Sequence, residues 1–330
     1  MPHVLVAGRI HDAGLDILRH ARGVTFDLVE DISVESYAPL APNADAILIR
    51  TQPLPRAVIE SAGRLKIVSR HGVGFDAVDV DALTQRAIPL TIVGDVNSNS
   101  VAEHTMMMVL TLAKSTIRYD QKTRASSWQY RNSFDAWELA GRTLLLLGFG
   151  RIGKAVARMA NAFNMRVQAY DPYVAADVVC GCGVTPVSDL KQALAEADVV
   201  SVHMPKSTDG PLLGADELSQ MKSSAIVVNT SRGGIVDELA LLQALAAGRL
   251  GGAGLDVFDI EPPVPDHPLF TFENVVLSPH CAGLTEEAAA RMAVSSVTNI
   301  LDFFAGRLDP ALVVNAVRIA PPAAVHGVRA

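Results

Sequence analysis

Cysteine is scarce in this chain: three residues in 330, at positions 180, 182 and 281. Three thiols cannot form a fully paired disulfide framework, and two of them separated by one glycine lack a second pair to complete a zinc site. No metal is expected, and this usage suits a reducing compartment. Long apolar runs are also missing. The stretches at 106–110 and 144–147 fall far short of the roughly 20 residues a membrane span requires, and no basic segment followed by a long apolar run and a cleavage site opens the chain. A cytoplasmic protein without a membrane partner is expected. Clustered positive charge is absent too: 28 Lys and Arg against 35 Asp and Glu give a formal charge of −7, so a nucleic-acid partner is not expected.

What is present is apolar material for more than one core. Hydrophobic residues make up 49% of the chain and mean hydropathy is +0.26, in a length comfortable for two domains. The 18 prolines and 24 glycines are dispersed, as turns require, and not gathered into a disordered tract.

The first hundred residues alternate short strand-like runs (4–7, 46–49, 66–69) with helical segments (12–20, 55–62, 80–85), the rhythm of an α/β layer with a mostly parallel sheet. A long helix is predicted over 100–115, capped by Ser98 or Ser100 with Glu103 in capping-box position; the methionines at 106–108 read as core. The polar segment 117–138 has no sustained period. From Arg142 the alternation restarts, with strands at 143–147, 167–170, 199–203, 225–229, 253–257 and 275–277 and helices at 152–163 and 235–247. About 135 residues of this pattern predict a doubly wound domain. A last helix is predicted over 286–305, and residues 320–330 read as a loose tail.

The sharpest local signal is Gly148-Phe149-Gly150-Arg151-Ile152-Gly153, which directly follows a strand and opens a helix. In that context GxGxxG predicts a dinucleotide site. Gly148 permits the tight turn, Gly150 lets a pyrophosphate approach the backbone, Gly153 lets helix and strand pack closely, and the helix N-terminus offers unpaired N–H groups. The next strand ends at Tyr170-Asp171-Pro172. A carboxylate there accepts hydrogen bonds from ribose hydroxyls and repels a 2′-phosphate, which favours NAD over NADP. Val202-His203-Met204-Pro205 sits at another strand end bordering the same crevice; His203 is equally readable as a structural histidine.

Three further strand ends carry ionisable groups: Thr230-Ser231-Arg232, Asp256 leading to Glu261-Pro262-Pro263, and Pro279-His280. Hydride exchange at C2 of a hydroxy acid requires a proton to leave or reach the C2 oxygen, and an imidazole suits that task near neutral pH. His280 is the candidate acid/base, with Glu261 fixing its tautomer. Arg232 offers a planar fork for the carboxylate, each charge-assisted bond contributing roughly 1.5–3 kcal/mol. Asp256 is a candidate for positioning the nicotinamide or Arg232.

On these residues the chain resembles the D-isomer-specific 2-hydroxyacid dehydrogenases, in particular the 3-phosphoglycerate dehydrogenases and the hydroxypyruvate and glyoxylate reductases. The resemblance runs from about residue 4 to about 315 and rests on LGFGRIG at 147–153, NTSRGGIVDE at 229–238, the LDVF and EPP segments within 255–263, and PH at 279–280. It implies the catalytic set Arg232, Glu261 and His280. It also implies a Rossmann cofactor domain, 99–284, inserted into a smaller flavodoxin-like substrate domain built from 1–98 plus 285–330, with a cleft that closes on substrate. The resemblance further assigns Val101, Thr105, Thr230, Ser231, Ala282 and Gly283 to the cofactor, and the loop Arg70-His71-Gly72-Val73-Gly74 together with Asn97 to substrate. Arg50, and Arg131 from across a dimer, resemble residues that bind a substrate phosphate. A homodimer through the cofactor domain, with 117–138 in the embracing arm, is implied as well.

Departures from the family pattern are Ala282 where glycine is common and Lys206 where leucine is usual. The sequence also ends before the position of the C-terminal regulatory domain found in many phosphoglycerate dehydrogenases, so feedback through one is not expected. Two other readings remain open: a dehydrogenase for a different small anionic donor such as formate or phosphite, and an NAD-sensing corepressor of the same fold.

Overall fold

The computed structural model describes residues 1–207 and 209–315; the 320–330 segment lies outside them. The chain divides into two compact units. One is built from Met1–Asn97 together with the described residues from Thr285 onward, the other from Ser98–Leu284.

The first unit is a five-stranded parallel sheet. Its strands are β1 (His3–Ala7), β2 (Thr25–Val29), β3 (Ala46–Ile49), β4 (Ile67–Arg70) and β5 (Leu90–Thr91), in the order β2-β1-β3-β4-β5. This is the flavodoxin-like order, with its topological switch between β1 and β3. The strand segments Val4–Ala7 and Ala46–Ile49 are apolar at every position because both faces are covered. Leu5, Ala7, Ile47 and Ile49 face one cluster, and Val4, Val6, Ala46 and Leu48 face the other.

The helix Glu286–Phe304 belongs to this second cluster through Ala293, Val297 and Ile300. Polar ties fix it there: Ser69 Oγ donates to the Ser296 carbonyl at 2.8 Å, and Asn299 Nδ2 donates to the Ile92 carbonyl at 3.0 Å. Chain segments more than 200 residues apart in sequence thus share one core.

The second unit is a seven-stranded parallel sheet: β6 (Thr143–Leu147), β7 (Arg166–Tyr170), β8 (Thr185–Pro186), β9 (Val199–Val202), β10 (Ile226–Asn229), β11 (Gly252–Leu255) and β12 (Val275–Leu277). The order is β12-β11-β10-β9-β6-β7-β8. Strand order reverses between β6 and β9, the switch point at which open α/β sheets bind ligands.

The long helix of this unit runs Ser98–Ala113, two residues earlier at each end than its sequence pattern predicts. Ser98 and Ser100 thus both lie within the first turn, where the Glu103 carboxylate accepts from the Asn99 side chain. Met106 and Met108 pack into the core beside Leu144 and Leu146, while Met107 turns outward at 41% exposure. The segment without a sustained period contains a helix at Thr116–Arg124 and a single 3-10 turn at Trp128–Asn132. The helix buries no residue, which is why apolar periodicity did not reveal it.

Candidate active site

Register decides where the candidate groups meet. Across the second sheet Tyr170, Leu147, Val202, Asn229, Leu255 and Leu277 pair in one row. The residues that follow them, Asp171, Gly148, His203, Thr230, Asp256 and Ser278, therefore emerge together along one carboxyl edge.

The glycine turn fits a dinucleotide. Gly148 has φ +99, and a Cβ there would strike the His203 carbonyl oxygen; at Gly153 it would strike the Gly148 carbonyl. Gly150, by contrast, has no atom within 4 Å of an added Cβ. It caps the helix Arg151–Ala162 without any side-chain hydrogen bond, leaving backbone donors and open space at the N-terminus of a 12-residue helix. Arg151 is exposed and Ile152 half-buried beside it. Asp171 is held at the tip of β7: Oδ2 accepts from the Phe149 N–H at 2.8 Å and Oδ1 from the Tyr173 N–H at 2.9 Å. Two backbone bonds orient the carboxylate and leave lone pairs for ribose hydroxyls. Pro172 and Pro205 lie exposed at their strand ends.

Some residues expected at the cofactor are turned inward. The His203 ring accepts or donates through Nε2 to Ser201 Oγ at 2.8 Å, and its Nδ1 is buried without a partner. Its backbone borders Gly148, while its ring is engaged within the protein. Thr105 has no exposed surface; its hydroxyl bonds the Val101 carbonyl at 2.8 Å and Thr230 Oγ1 at 2.9 Å. Thr105 backs the Thr230 loop, and Val101, 6% exposed, is nearly as enclosed.

Burial drives the His203 imidazole down to about 3, and burial with the neighbouring Arg50 and Arg70 charges does the same to His71 in the first unit. Both rings are neutral when folded, whereas in the unfolded chain they protonate near 6.5. Stability is therefore complete above 6.5 and falls as the pH drops from there toward 3. The expected slope is about 1.4 kcal/mol per pH unit for each ring. Urea unfolding between pH 7 and pH 5 measures it. A His203→Gln variant that keeps the full wild-type slope would remove His203 from this account.

The three catalytic candidates are brought together. His280 Nδ1 lies 2.7 Å from Glu261 Oε2, and the other oxygen of Glu261 accepts the Phe258 N–H at 3.0 Å. Burial by itself would raise the Glu261 carboxyl. The bonds from His280 and Phe258, with the charges of His280 and Arg232, outweigh it and hold the group below the usual carboxylate value. Arg232 is close enough for that influence because Asn229 shapes its loop. Asn229 is 2% exposed, Oδ1 accepts from Ser231 N and Oγ at 3.0 and 2.9 Å, and Nδ2 donates to the Arg232 carbonyl at 2.8 Å.

Asp256 is 1% exposed, and its carboxylate accepts from Ser278 Oγ and from the N–H groups of Cys281 and Ala282, both at 2.9 Å. It anchors the loop on which His280 sits at φ +50, with the His280 N–H donating to the Asp256 carbonyl at 2.8 Å. Ala282 is buried, and Gly283 follows half-buried. A further brace holds the Glu261 loop: Glu238 accepts the Asp259 N–H at 3.2 Å and pairs with His267 Nε2 at 2.8 Å. Sequence reasoning overlooked Asn229, Ser278 and Glu238. Their polar side chains at buried strand ends and a helix start were the available signal.

In the first unit Arg50 follows β3 and His71 follows β4, at the carboxyl edge where Ala7, Ile49 and Arg70 pair in register. Burial and the adjacent Arg9 charge both disfavour the Arg50 guanidinium. Arg70 Nη1 donates to the His71 carbonyl at 2.9 Å. Arg9, overlooked in the sequence, thus joins Arg50 and Arg70 in one positive cluster. Gly72 is buried, Val73 is exposed, and Gly74 and Asn97 are half-buried. Arg131 lies exposed on the 3-10 turn Trp128–Asn132 of the second unit.

Residues 106–282 match the family model described as D-isomer specific 2-hydroxyacid dehydrogenase, NAD binding domain. The chain is 39% identical over 306 residues to a D-3-phosphoglycerate dehydrogenase of Archaeoglobus fulgidus; the match covers 92% of this chain and 57% of that protein. It spans little more than half the length of the first such relatives. A glyoxylate reductase of Korarchaeum cryptofilum is 36% identical over 330 residues, covering 97% of this chain and 98% of its own length. Among solved structures, the D-lactate dehydrogenase of Aquifex aeolicus complexed with NAD and lactic acid superposes with a TM-score of 0.84 at 28% identity, covering 92% of this chain and 96% of that one.

Proposed function

The chain belongs to the D-isomer specific 2-hydroxyacid dehydrogenases, and from that membership we propose that it is an NAD-dependent dehydrogenase exchanging hydride with C2 of a small D-2-hydroxy acid or its 2-keto acid. The observation that carries the reading is the 2.7 Å pair of His280 and Glu261 under the influence of Arg232, on the same sheet edge as the Gly148–Gly153 turn.

The turn Gly148–Gly153 and Asp171 would hold NAD, which supplies the hydride acceptor when bound. Glu261 occupies Nδ1 of His280 and so presents Nε2 to the substrate. In oxidation Nε2 takes the proton of the C2 hydroxyl as hydride leaves C2; in reduction it returns that proton to the C2 oxygen. The ionised Glu261 stabilises the imidazolium between these events. Arg232 binds the carboxylate and polarises the C2 oxygen with its planar fork. Asn229 and Asp256 position these groups through the loops that they shape.

The clustered charges of Arg9, Arg50 and Arg70 favour an acid with a second anionic group, such as a phosphorylated keto acid, over glyoxylate or hydroxypyruvate. Mutual repulsion of these cations is relieved when an anion binds. The exposed Trp128 and Phe134, at 66% and 84%, support a homodimer formed through the second unit, with Arg131 then available to a partner subunit's substrate.

The test is oxidation of NADH and of NADPH with 3-phosphohydroxypyruvate, hydroxypyruvate, glyoxylate and pyruvate. NADH is expected to be the substrate, and Asp171→Ser should narrow the preference. Arg50→Ala is expected to raise KM for the phosphorylated acid about tenfold or more, the loss of one charge-assisted contact, while leaving glyoxylate unchanged. Absence of turnover with every acid would defeat the proposal; an equal effect of Arg50→Ala on all acids would defeat the assignment of Arg50.

A further inference from the structure

We propose that His104, Asp256 and Cys281 form a binding site for a thiophilic divalent cation, with zinc the best chemical match, and that its occupancy locks the loop carrying His280. One ligand atom from each residue, an imidazole nitrogen, a carboxylate oxygen and the thiol sulfur, lies within 4.8 Å of the other two. All three converge on the Ser278 hydroxyl. His104 Nε2 is 2.9 Å from Ser278 Oγ, that hydroxyl donates to Asp256 Oδ1, and His104 Nε2 is 3.8 Å from the same carboxylate oxygen. Asp256 forms the buried floor, while His104 and Cys281 are each partly open to solvent.

Nitrogen, oxygen and sulfur together are the donor set of zinc, which binds them at about 2.0–2.3 Å in tetrahedral geometry. Ligand atoms around such an ion stand roughly 3.5 Å apart. The present triad therefore needs to contract by about an ångström, a movement within reach of side-chain rotation. Calcium and magnesium take oxygen ligands and would reject the sulfur. Ser278 Oγ or a water completes the four. As the metal–sulfur bond forms, the thiol proton leaves to solvent; no oxidant or reductant takes part.

The consequence for the neighbouring site follows from the chain. His280 sits between Ser278 and Cys281, and its N–H is bonded to the Asp256 carbonyl. Drawing Cys281 Sγ toward His104 and Asp256 fixes both ends of the short segment that sets the His280 ring. The coupling to turnover rests on the dehydrogenase reading; the binding site itself does not.

Cobalt(II) titration of the purified full chain tests the site without any assay of activity. An equimolar thiolate-to-cobalt charge-transfer band is expected, displaced by zinc. It should be lost in Cys281→Ser and weakened at least tenfold in affinity in His104→Gln, with unchanged circular dichroism and melting in both. The double variant Cys180→Ser/Cys182→Ser, which removes two exposed thiols, should keep the band. No band in the wild type, or a band that survives Cys281→Ser, overturns the site. Zinc is further expected to inhibit keto-acid reduction in the wild type and not in Cys281→Ser. Bound cobalt with undiminished turnover overturns the locking of the loop.

Discussion

Replacing His280 with alanine lowers keto-acid reduction by about 10²–10⁴-fold, the usual contribution of a positioned general acid, and leaves NADH binding intact. Proton delivery to the C2 oxygen is the step that no neighbour can take over. Glu261 is held ionised by its hydrogen bonds and has no proton to give. The glycine turn lies on other strands, so its hold on the dinucleotide does not pass through the ring. A complication is backbone conformation: His280 occupies φ +50, which alanine tolerates less well than asparagine. His280→Asn keeps a side chain suited to that conformation and still cannot shuttle a proton, so it should fall as far as His280→Ala. Rapid-mixing measurement of NADH binding alongside steady-state turnover separates the two effects. Wild-type turnover in either variant would remove His280 from the mechanism.

Gly233→Ala is expected to lower kcat/KM about 100-fold and to destabilise the fold by about 1–3 kcal/mol, the range for inserting a methyl group into a packed contact. An added Cβ at Gly233 would fall inside the carbonyl group of Phe258, and the two loops would have to part by more than an ångström. One of those loops carries Arg232 and the other Glu261, so the change acts on both catalytic partners while touching neither. A displacement of that size is enough to misalign a hydride-transfer geometry. Gly63→Ala, where an added Cβ meets nothing within 4 Å, is the control and should be neutral in both measurements. Full activity in Gly233→Ala would show that loop contact does not govern the site.

The residues legible in advance were those whose meaning is local. A glycine pattern between a strand and a helix has one steric purpose wherever it occurs, and Gly148, Gly150 and Gly153 show it: two close approaches and one opening. His280 and Glu261 could be paired on paper because each follows a strand of the same sheet. What stayed hidden was the set of groups whose role depends on a partner far along the chain. That the Asp256 carboxylate caps the loop at Cys281 and Ala282 could not be read from its own strand end. The bond that joins the Thr105 hydroxyl to Thr230 spans 125 positions and had no local signal. His104 and Cys281, 177 positions apart in the sequence, carry no mutual signal at all, yet the fold brings a ligand atom of each within 4.8 Å of the other.

By itself the sequence determined the alternation of strand and helix, because an apolar run of four or five residues has to be covered on both faces, and it determined the chemistry of the strand ends, because residue type sets charge and proton affinity. Tertiary structure decided which of those ends are neighbours. Register across β6, β9, β10, β11 and β12 aligned the reactive residues, the helix Glu286–Phe304 joined the core of the first unit from the far end of the chain, and burial, joined at His71 by the Arg50 and Arg70 charges, made His71 and His203 neutral. Neither pairing nor desolvation is a property of any one segment; both arise only when distant segments exclude water together.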